Sequence, residues 1–195
     1  MKVVLIRHGI TAGNQKKQYI GRTDQPLCEE GIAAIKEIGA SSDFQEKTDN
    51  LNVRNIFVSP MIRCRQTAEI LYPNAEQVVV RDLREMDFGI FEGKNYQDLA
   101  DSKEYNAWLK TLCEGDVPEG ENKADFTQRC CDAFVECLKD YEGESAYFLV
   151  HGGTIMAIMA VFCKSDKQYY QWYAENGHGY VVEWDGQEIK LIDQV

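Results

Sequence analysis

The sequence predicts an α/β domain whose largely parallel sheet is flanked by helices. Short apolar runs rich in Val, Ile and Phe recur at 3–6, 55–58, 78–80 and 146–150. Longer patterns of helical period separate several of them, and strand alternating with helix is the signature of parallel pairing, because parallel strands need crossover connections. At 195 residues, 44% of them hydrophobic, the chain fits one core, so a single domain is expected.

Taken in order, VVLI at 3–6 is the first strand. A helix over 29–40 follows the turn-like TDQP, and NIFV at 55–58 is the second strand. The next helix, over 61–71, is stopped by Pro73, and a third strand is expected at 78–80. Between 83 and 123 the periodicity breaks into short helical pieces and glycine-bearing loops, which marks an insertion over one edge of the sheet that reaches across the strand ends. The longest helix is expected over 123–141, where Phe126, Cys130, Phe134, Cys137, Leu138 and Tyr141 form a stripe facing the core. A strand at 146–150, a helix after Gly153, and a hairpin of YVVEW and EIKLI about Asp185-Gly186-Gln187 complete the chain.

The formal net charge of -11 argues against a nucleic-acid or anionic-membrane binder, since both need basic patches. No run approaches the ~20 apolar residues of a membrane span, and Met1 leads into KVVLI without a signal-like segment, so a soluble, cytoplasmic protein is expected. Seven cysteines without a C-x-x-C pair do not make a disulfide framework or a zinc site, and they are read as small buried hydrophobes. An oxidoreductase is excluded early, as no G-x-G-x-x-G follows a strand.

Three proposed strands end in polar residues that packing does not explain: Arg7-His8-Gly9, Ser59-Pro60-Met61-Ile62-Arg63 and His151-Gly152-Gly153. Open α/β sheets bind ligands at the carboxyl ends of their strands, so two histidines and two arginines should converge on one crevice. Gly9 and Gly152 allow close backbone approach, and the helix opening after Gly153 offers N–H groups to an anion. Arg7 and Arg63 suit a forked grip on phosphate oxygens. One charge pair at about 4 Å and an effective dielectric near 20 is worth roughly 4 kcal/mol, so a local pair of arginines can outweigh distant, screened carboxylates.

With RHG followed by Thr11 and Asn14, then GRTDQPL with Gly31, SPMIRCRQTAEIL, LREMDFGIFEG and LVHGGT, the chain resembles the histidine phosphatase superfamily, in the branch that includes cofactor-dependent phosphoglycerate mutase. The five segments occur in the family's order over nearly the whole chain. The resemblance implies that His8 is the nucleophile that becomes phosphohistidine, that Arg7, Arg63 and His151 hold the transferring phosphoryl group with a contact from Asn14, and that Glu85 donates a proton to the leaving oxygen and later acts as base toward water. It implies neither a metal nor a cofactor, because fixed cations stabilise the charge of the transition state. Gly21, Arg22 and Thr23 either contact substrate or form a turn. Arg65 is expected at the surface or behind the site, and His178 in loop structure.

The family's mutases typically carry an arginine after the acid glutamate, together with a longer insertion. Here Met86 occupies that position and the chain is short, which favours hydrolysis over mutase-type phosphotransfer. Ile10 replaces the acidic residue of the family's RHGET. Cys28 replaces a threonine at a helix start, where a thiol is expected to cap poorly. The acidic segment between Asp87 and Asp125 should repel highly charged substrates, so a small monoester is expected, and its Phe88, Phe91, Tyr96, Tyr105 and Trp108 could stack on a flat ring. GRTDQPL and FGIFEG are similar to the small bacterial members that include α-ribazole phosphatase, which makes α-ribazole 5'-phosphate one candidate. The partner is then a small-molecule phosphomonoester, with homodimerisation left open. Two rivals remain: a metal hydrolase using His8, His151, Glu85 and Asp87, against which the arginine beside His8 argues, and a non-catalytic phosphate-binding module.

Overall fold

The computed structural model describes residues 1–49 and 53–195. Its strands are β1 (Lys2–Arg7), β2 (Asn55–Val58), β3 (Glu76–Val79), β4 (Ser145–Val150), β5 (Gly179–Trp184) and β6 (Ile189–Gln194). Its helices are α1 (Ala12–Gln15), α2 (Glu29–Ala40), α3 (Ser42–Thr48), α4 (Ile62–Leu71), α5 (Lys103–Lys110), α6 (Lys123–Lys139) and α7 (Gly152–Phe162). The sheet runs β3-β2-β4-β1-β5-β6. The first four of these are parallel, and β5 and β6 add as antiparallel strands. No helix among the described residues is long and apolar enough to cross a membrane.

Strand alternation divides the core into two layers. Val3 and Leu5 of β1, with Ala146, Phe148 and Val150 of β4, pack against Phe134 and Leu138 of α6 and Ile155, Ile158 and Met159 of α7. On the opposite face Val4, Ile6, Tyr147 and Leu149 meet Ile35 of α2, Phe44 of α3 and Ala68 and Leu71 of α4. Each such fully buried aliphatic side chain contributes about 1.5–3 kcal/mol of transfer free energy.

Register then places the site. Arg7 pairs with Val150, and Val58 with Leu149, so the residues leaving β1, β2 and β4 emerge side by side at one end of the sheet.

Several boundaries differ from the expectation. The third strand spans 76–79 rather than 78–80, because it is a sheet edge whose Val78 and Val79 stay exposed and give the hydrophobic pattern little hold. The long helix ends at Lys139, and the helix expected after Gly153 already starts at Gly152. Helix α3 was not expected: its sequence, SDFQEKT, is mostly polar, and it is held by the Ser41 cap and by burial of Phe44 and Thr48. The segment from 83 to 123 packs on α6 and α7 rather than along a sheet edge, with Met86, Phe91, Leu99, Tyr105 and Trp108 meeting Phe126, Cys130 and Ala157 in a third cluster. It is also bridged to the stretch after α1 through Gln18 with Asn95 and Tyr19 with Glu92. All seven cysteines are free, and Cys64, Cys130 and Cys131 are buried.

Candidate active site

His8 follows β1 directly, and its backbone N–H donates to Val150 O at 3.0 Å. Its ring is buried, with Nδ1 2.7 Å from Gly9 O. A carbonyl only accepts, so Nδ1 carries the hydrogen and Nε2 is left with its lone pair. Burial holds the pKa well below the ordinary histidine value, and the Arg63 and Arg7 guanidinium groups lower it further. The imidazole is therefore uncharged at neutral pH.

His151 leaves β4 and precedes the first turn of α7, with its ring centroid 5.2 Å from that of His8. Its Nδ1 accepts from Arg63 Nε at 3.4 Å, so its Nε2–H faces Ser59 Oγ at 2.7 Å. Burial, then the Arg63 charge, likewise keeps this ring neutral.

Arg63 is fully buried in the first turn of α4. Its Nη1 donates to Thr23 O at 2.9 Å, and its Nη2 to Gly21 O at 3.0 Å and Ile20 O at 3.5 Å. Thr67, one turn on, bridges this helix to the His8 loop by accepting from Gly9 N–H at 3.0 Å and donating to Arg63 O at 2.7 Å. Arg7 donates through Nη1 to Ala174 O at 2.9 Å and lies 5.1 Å from the Tyr173 ring centroid, while its buried Nε has no hydrogen-bond partner.

Glu85 lies opposite. Its Oε1 accepts from Met86 N–H at 3.0 Å and its Oε2 from Gly153 N–H, in the first turn of α7, at 3.0 Å. Burial pushes its pKa up; those N–H donors and the Arg63 and Arg7 charges offset this only in part. Gly153 permits the arrangement, since a Cβ there would stand 2.2 Å from Glu85 Oε1.

These groups open on a cavity of about 350 Å³. Arg7, His8, Asn14, Glu85, Gly152 and Gly153 line one end; Tyr19, Phe88, Trp108, Tyr169, Tyr170 and Tyr173 line much of the rest. Arg63 and His151 stand behind His8 without lining it.

The remaining expected residues divide. Asn14 lines the cavity, its Oδ1 held by Thr11 N–H at 3.1 Å, Thr11 Oγ1 at 3.1 Å and Asn176 Nδ2 at 3.3 Å. Thr11 itself is fully buried and caps α1 instead of facing the cavity. Gly21, Arg22 and Thr23 form a turn: Glu92 Oε1 accepts from Gly21 N–H at 2.9 Å, Arg22 N–H at 2.9 Å and Phe88 N–H at 3.1 Å, and Glu92 Oε2 from Thr23 Oγ1 at 2.7 Å. The carbonyl side of that turn holds Arg63, so its part is to position that charge. A methyl at Gly21 would stand 1.7 Å from Met86 O.

Arg65 is exposed; His178 is exposed too, and its carbonyl accepts from Arg7 N–H at 2.9 Å. Cys28 does cap α2, accepting from Gly31 N–H at 3.3 Å and donating to Ile10 O at 3.4 Å, because the large, soft sulfur still reaches across the turn. Of the aromatic residues expected over the site, Phe88 and Trp108 line the cavity, Phe91 and Tyr105 are buried in the third cluster, and Tyr96 points to solvent.

The contributions of Tyr169, Tyr170, Tyr173, Lys123, Asn176 and Glu92 were not foreseen. Glu92 alone had a local signal, in FEG; Tyr169, Tyr170, Tyr173 and Lys123 reach the cavity from segments remote in sequence, and Asn176 reaches Asn14 behind it. Among the described residues no three His, Cys, Asp or Glu side chains form a metal-ligand cluster.

The model of the histidine phosphatase superfamily (branch 1) matches residues 3–194. The chain belongs to that superfamily. A curated relative, "Probable phosphoglycerate mutase GpmB" of Enterobacter sp. (strain 638), is 30% identical over 158 residues, 78% of this chain and 70% of that protein. Among solved structures of the fold, the alpha-ribazole phosphatase from Shigella flexneri superposes with a TM-score of 0.82 at 23% identity, covering 98% of this chain and 95% of that one. The phosphoglycerate mutase from Thermus thermophilus superposes with a TM-score of 0.71 at 24% identity, covering 98% and 97%. Superfamily membership supports a phosphatase-type enzyme, and the solved neighbours show that the fold is shared.

Proposed function

We propose that the chain hydrolyses a small phosphomonoester through a phosphohistidine formed on His8. The observation that carries this is the locked tautomer: Gly9 O holds the Nδ1 hydrogen, and burial beside two guanidinium groups keeps Nε2 unprotonated and nucleophilic.

Nε2 attacks phosphorus, the P–N bond forms and the bond to the ester oxygen breaks. Glu85, whose pKa burial raises, is the group placed to transfer a proton to that departing oxygen. The resulting carboxylate takes a proton from water, whose oxygen attacks phosphorus as the P–N bond breaks. Phosphate leaves and His8 regains its lone pair. Arg7, with an unpartnered Nε, and Arg63 offset the charge spreading over the equatorial oxygens, and N–H groups at the start of α7 add the positive end of a helix dipole. Arg63 and His151 act from behind His8, Arg63 chiefly as a fixed charge.

The aromatic lining supports a substrate bearing a flat, weakly charged ring, and α-ribazole 5'-phosphate is a candidate of that kind. Mutase-type phosphotransfer is the second reading, favoured by the curated relative; against it, the residue after Glu85 is the buried, uncharged Met86. We place the enzyme in the cytoplasm, acting on a soluble metabolite.

The test is a turnover screen with α-ribazole 5'-phosphate, nucleoside monophosphates, p-nitrophenyl phosphate and phosphoglycerates, run with EDTA. Phosphate release with acid-labile phosphate on the protein is expected, both absent in His8→Ala. Full activity in His8→Ala, or loss in EDTA restored by a divalent metal, overturns the mechanism. Interconversion of phosphoglycerates faster than phosphate release favours the mutase reading.

A further inference from the structure

Lys123 occupies a position that electrostatics disfavours. As the first residue of α6 it sits at the positive end of the helix dipole, where a cation is repelled. Its side chain is only 12% exposed, with Nζ 2.5 Å from Glu114 Oε1, 4.0 Å from the Tyr169 ring centroid and 4.9 Å from that of Tyr170. It lines the same cavity as His8 and Glu85. Tyr169 joins the two ends: its Oη donates to Gly153 O at 3.3 Å, and Gly153 N–H donates to Glu85. One tyrosine ring thus separates the amine from the proposed acid, a span that a second anionic group on a small phosphomonoester can bridge.

Among the described residues lining the cavity, Lys123 is the one cation besides Arg7, which the phosphoryl group occupies in the proposed reaction. Left unpaired, it would attract a carboxylate or a second phosphate. Glu114 cancels it, and the chain takes an unusual path to do so. Leu112 and Cys113 both adopt left-handed φ, 54° and 63°, and Thr111 braces the reversal by accepting from Glu114 N–H at 3.1 Å through its carbonyl and from Gly115 N–H at 3.0 Å through Oγ1. Two consecutive non-glycine residues in that region cost stability, which the loop bears while returning residue 114 to Lys123.

We infer that the Lys123–Glu114 pair is a specificity device: with the lysine neutralised between two tyrosine faces, the far end of the cavity accepts an uncharged ring and rejects substrates carrying a second anionic group. This rests on the phosphomonoesterase reading above and names which monoesters it takes.

The experiment compares kcat/KM for 3-phosphoglycerate with that for p-nitrophenyl phosphate, in wild type, Glu114→Gln and the double variant Glu114→Gln/Lys123→Met. The ratio is read, so a loss common to both substrates cancels. Removing the counter-charge should raise the ratio about five- to tenfold, and removing the lysine as well should return it to the wild-type value. A ratio unchanged in Glu114→Gln, or still raised in the double variant, overturns the inference. The corresponding Kd ratio, measured by calorimetry in a His8→Ala background with 3-phosphoglycerate and phenyl phosphate, does not depend on turnover. Absent turnover with a shifted Kd ratio therefore refutes the proposed reaction, whereas turnover with a fixed ratio refutes this device alone.

Discussion

Acidification should destabilise the fold through two particular rings. His8 and His151 are both buried among guanidinium groups, and both have pKa values well below the ordinary one, so the folded chain holds them neutral. The unfolded chain protonates them near pH ~6.5. Below that value the unfolded state binds more protons than the folded state, so stability is fully present above it and is lost as pH falls. Between pH ~6.5 and ~5.5 each histidine costs about 1 kcal/mol, RT times the logarithm of the growth in the unfolded-state binding polynomial, and the two together about 2 kcal/mol. Glu85 runs the other way: its raised pKa means the folded state takes up the proton first, and acidification through that interval stabilises, but it is one group against two. The assay is urea unfolding at a series of pH values for wild type, His8→Asn and His151→Asn. The quantity compared is the change in unfolding free energy across the pH interval, so a variant that is simply less stable still reports. Each substitution should remove about 1 kcal/mol from that change. An interval unaltered in both variants would refute the claim that the folded chain keeps these rings uncharged.

Arg63→Ala should lower kcat/KM by about 3 kcal/mol, roughly two orders of magnitude, measured on the best substrate of the screen, because it removes a buried charge beside His8. Gly21→Ala should destabilise the protein by about 1–3 kcal/mol in urea unfolding, since a methyl 1.7 Å from Met86 O forces that backbone apart. Glu85→Gln should abolish the pH-rate limb that belongs to the general acid, leaving a flatter profile on poor leaving groups than on p-nitrophenyl phosphate.

The meeting of His8 with His151 was legible because both follow directly on strands whose apolar runs are unmistakable. Once the strands pair as Arg7 with Val150, His8 and His151 have no freedom to be far apart. Glu85 followed from the motif around it rather than from any period. The far end of the cavity was not legible: Lys123 reads locally as a polar residue opening a helix, and Tyr169 as part of an irregular segment. Their meeting depends on how α6 and α7 pack, which no local pattern encodes. Edge strand β3 and helix α3 were blurred for the same reason, since exposure on one and tertiary burial on the other override propensity. Gly21, Arg22 and Thr23 show a different limit: the motif marks that something matters there, but not that its carbonyls grip Arg63 while its amides grip Glu92.

That shared carboxylate sets a condition on redesign. Anyone exchanging the stretch between Leu83 and Lys123 to alter substrate preference would remove Glu92 along with Phe88 and Trp108 of the cavity wall. The turn that cradles Arg63 would lose its staple even though every residue of the turn had been left untouched. A graft that keeps an acceptor at position 92 can therefore be judged on selectivity; one that drops it measures only the collapse of the arginine's seat.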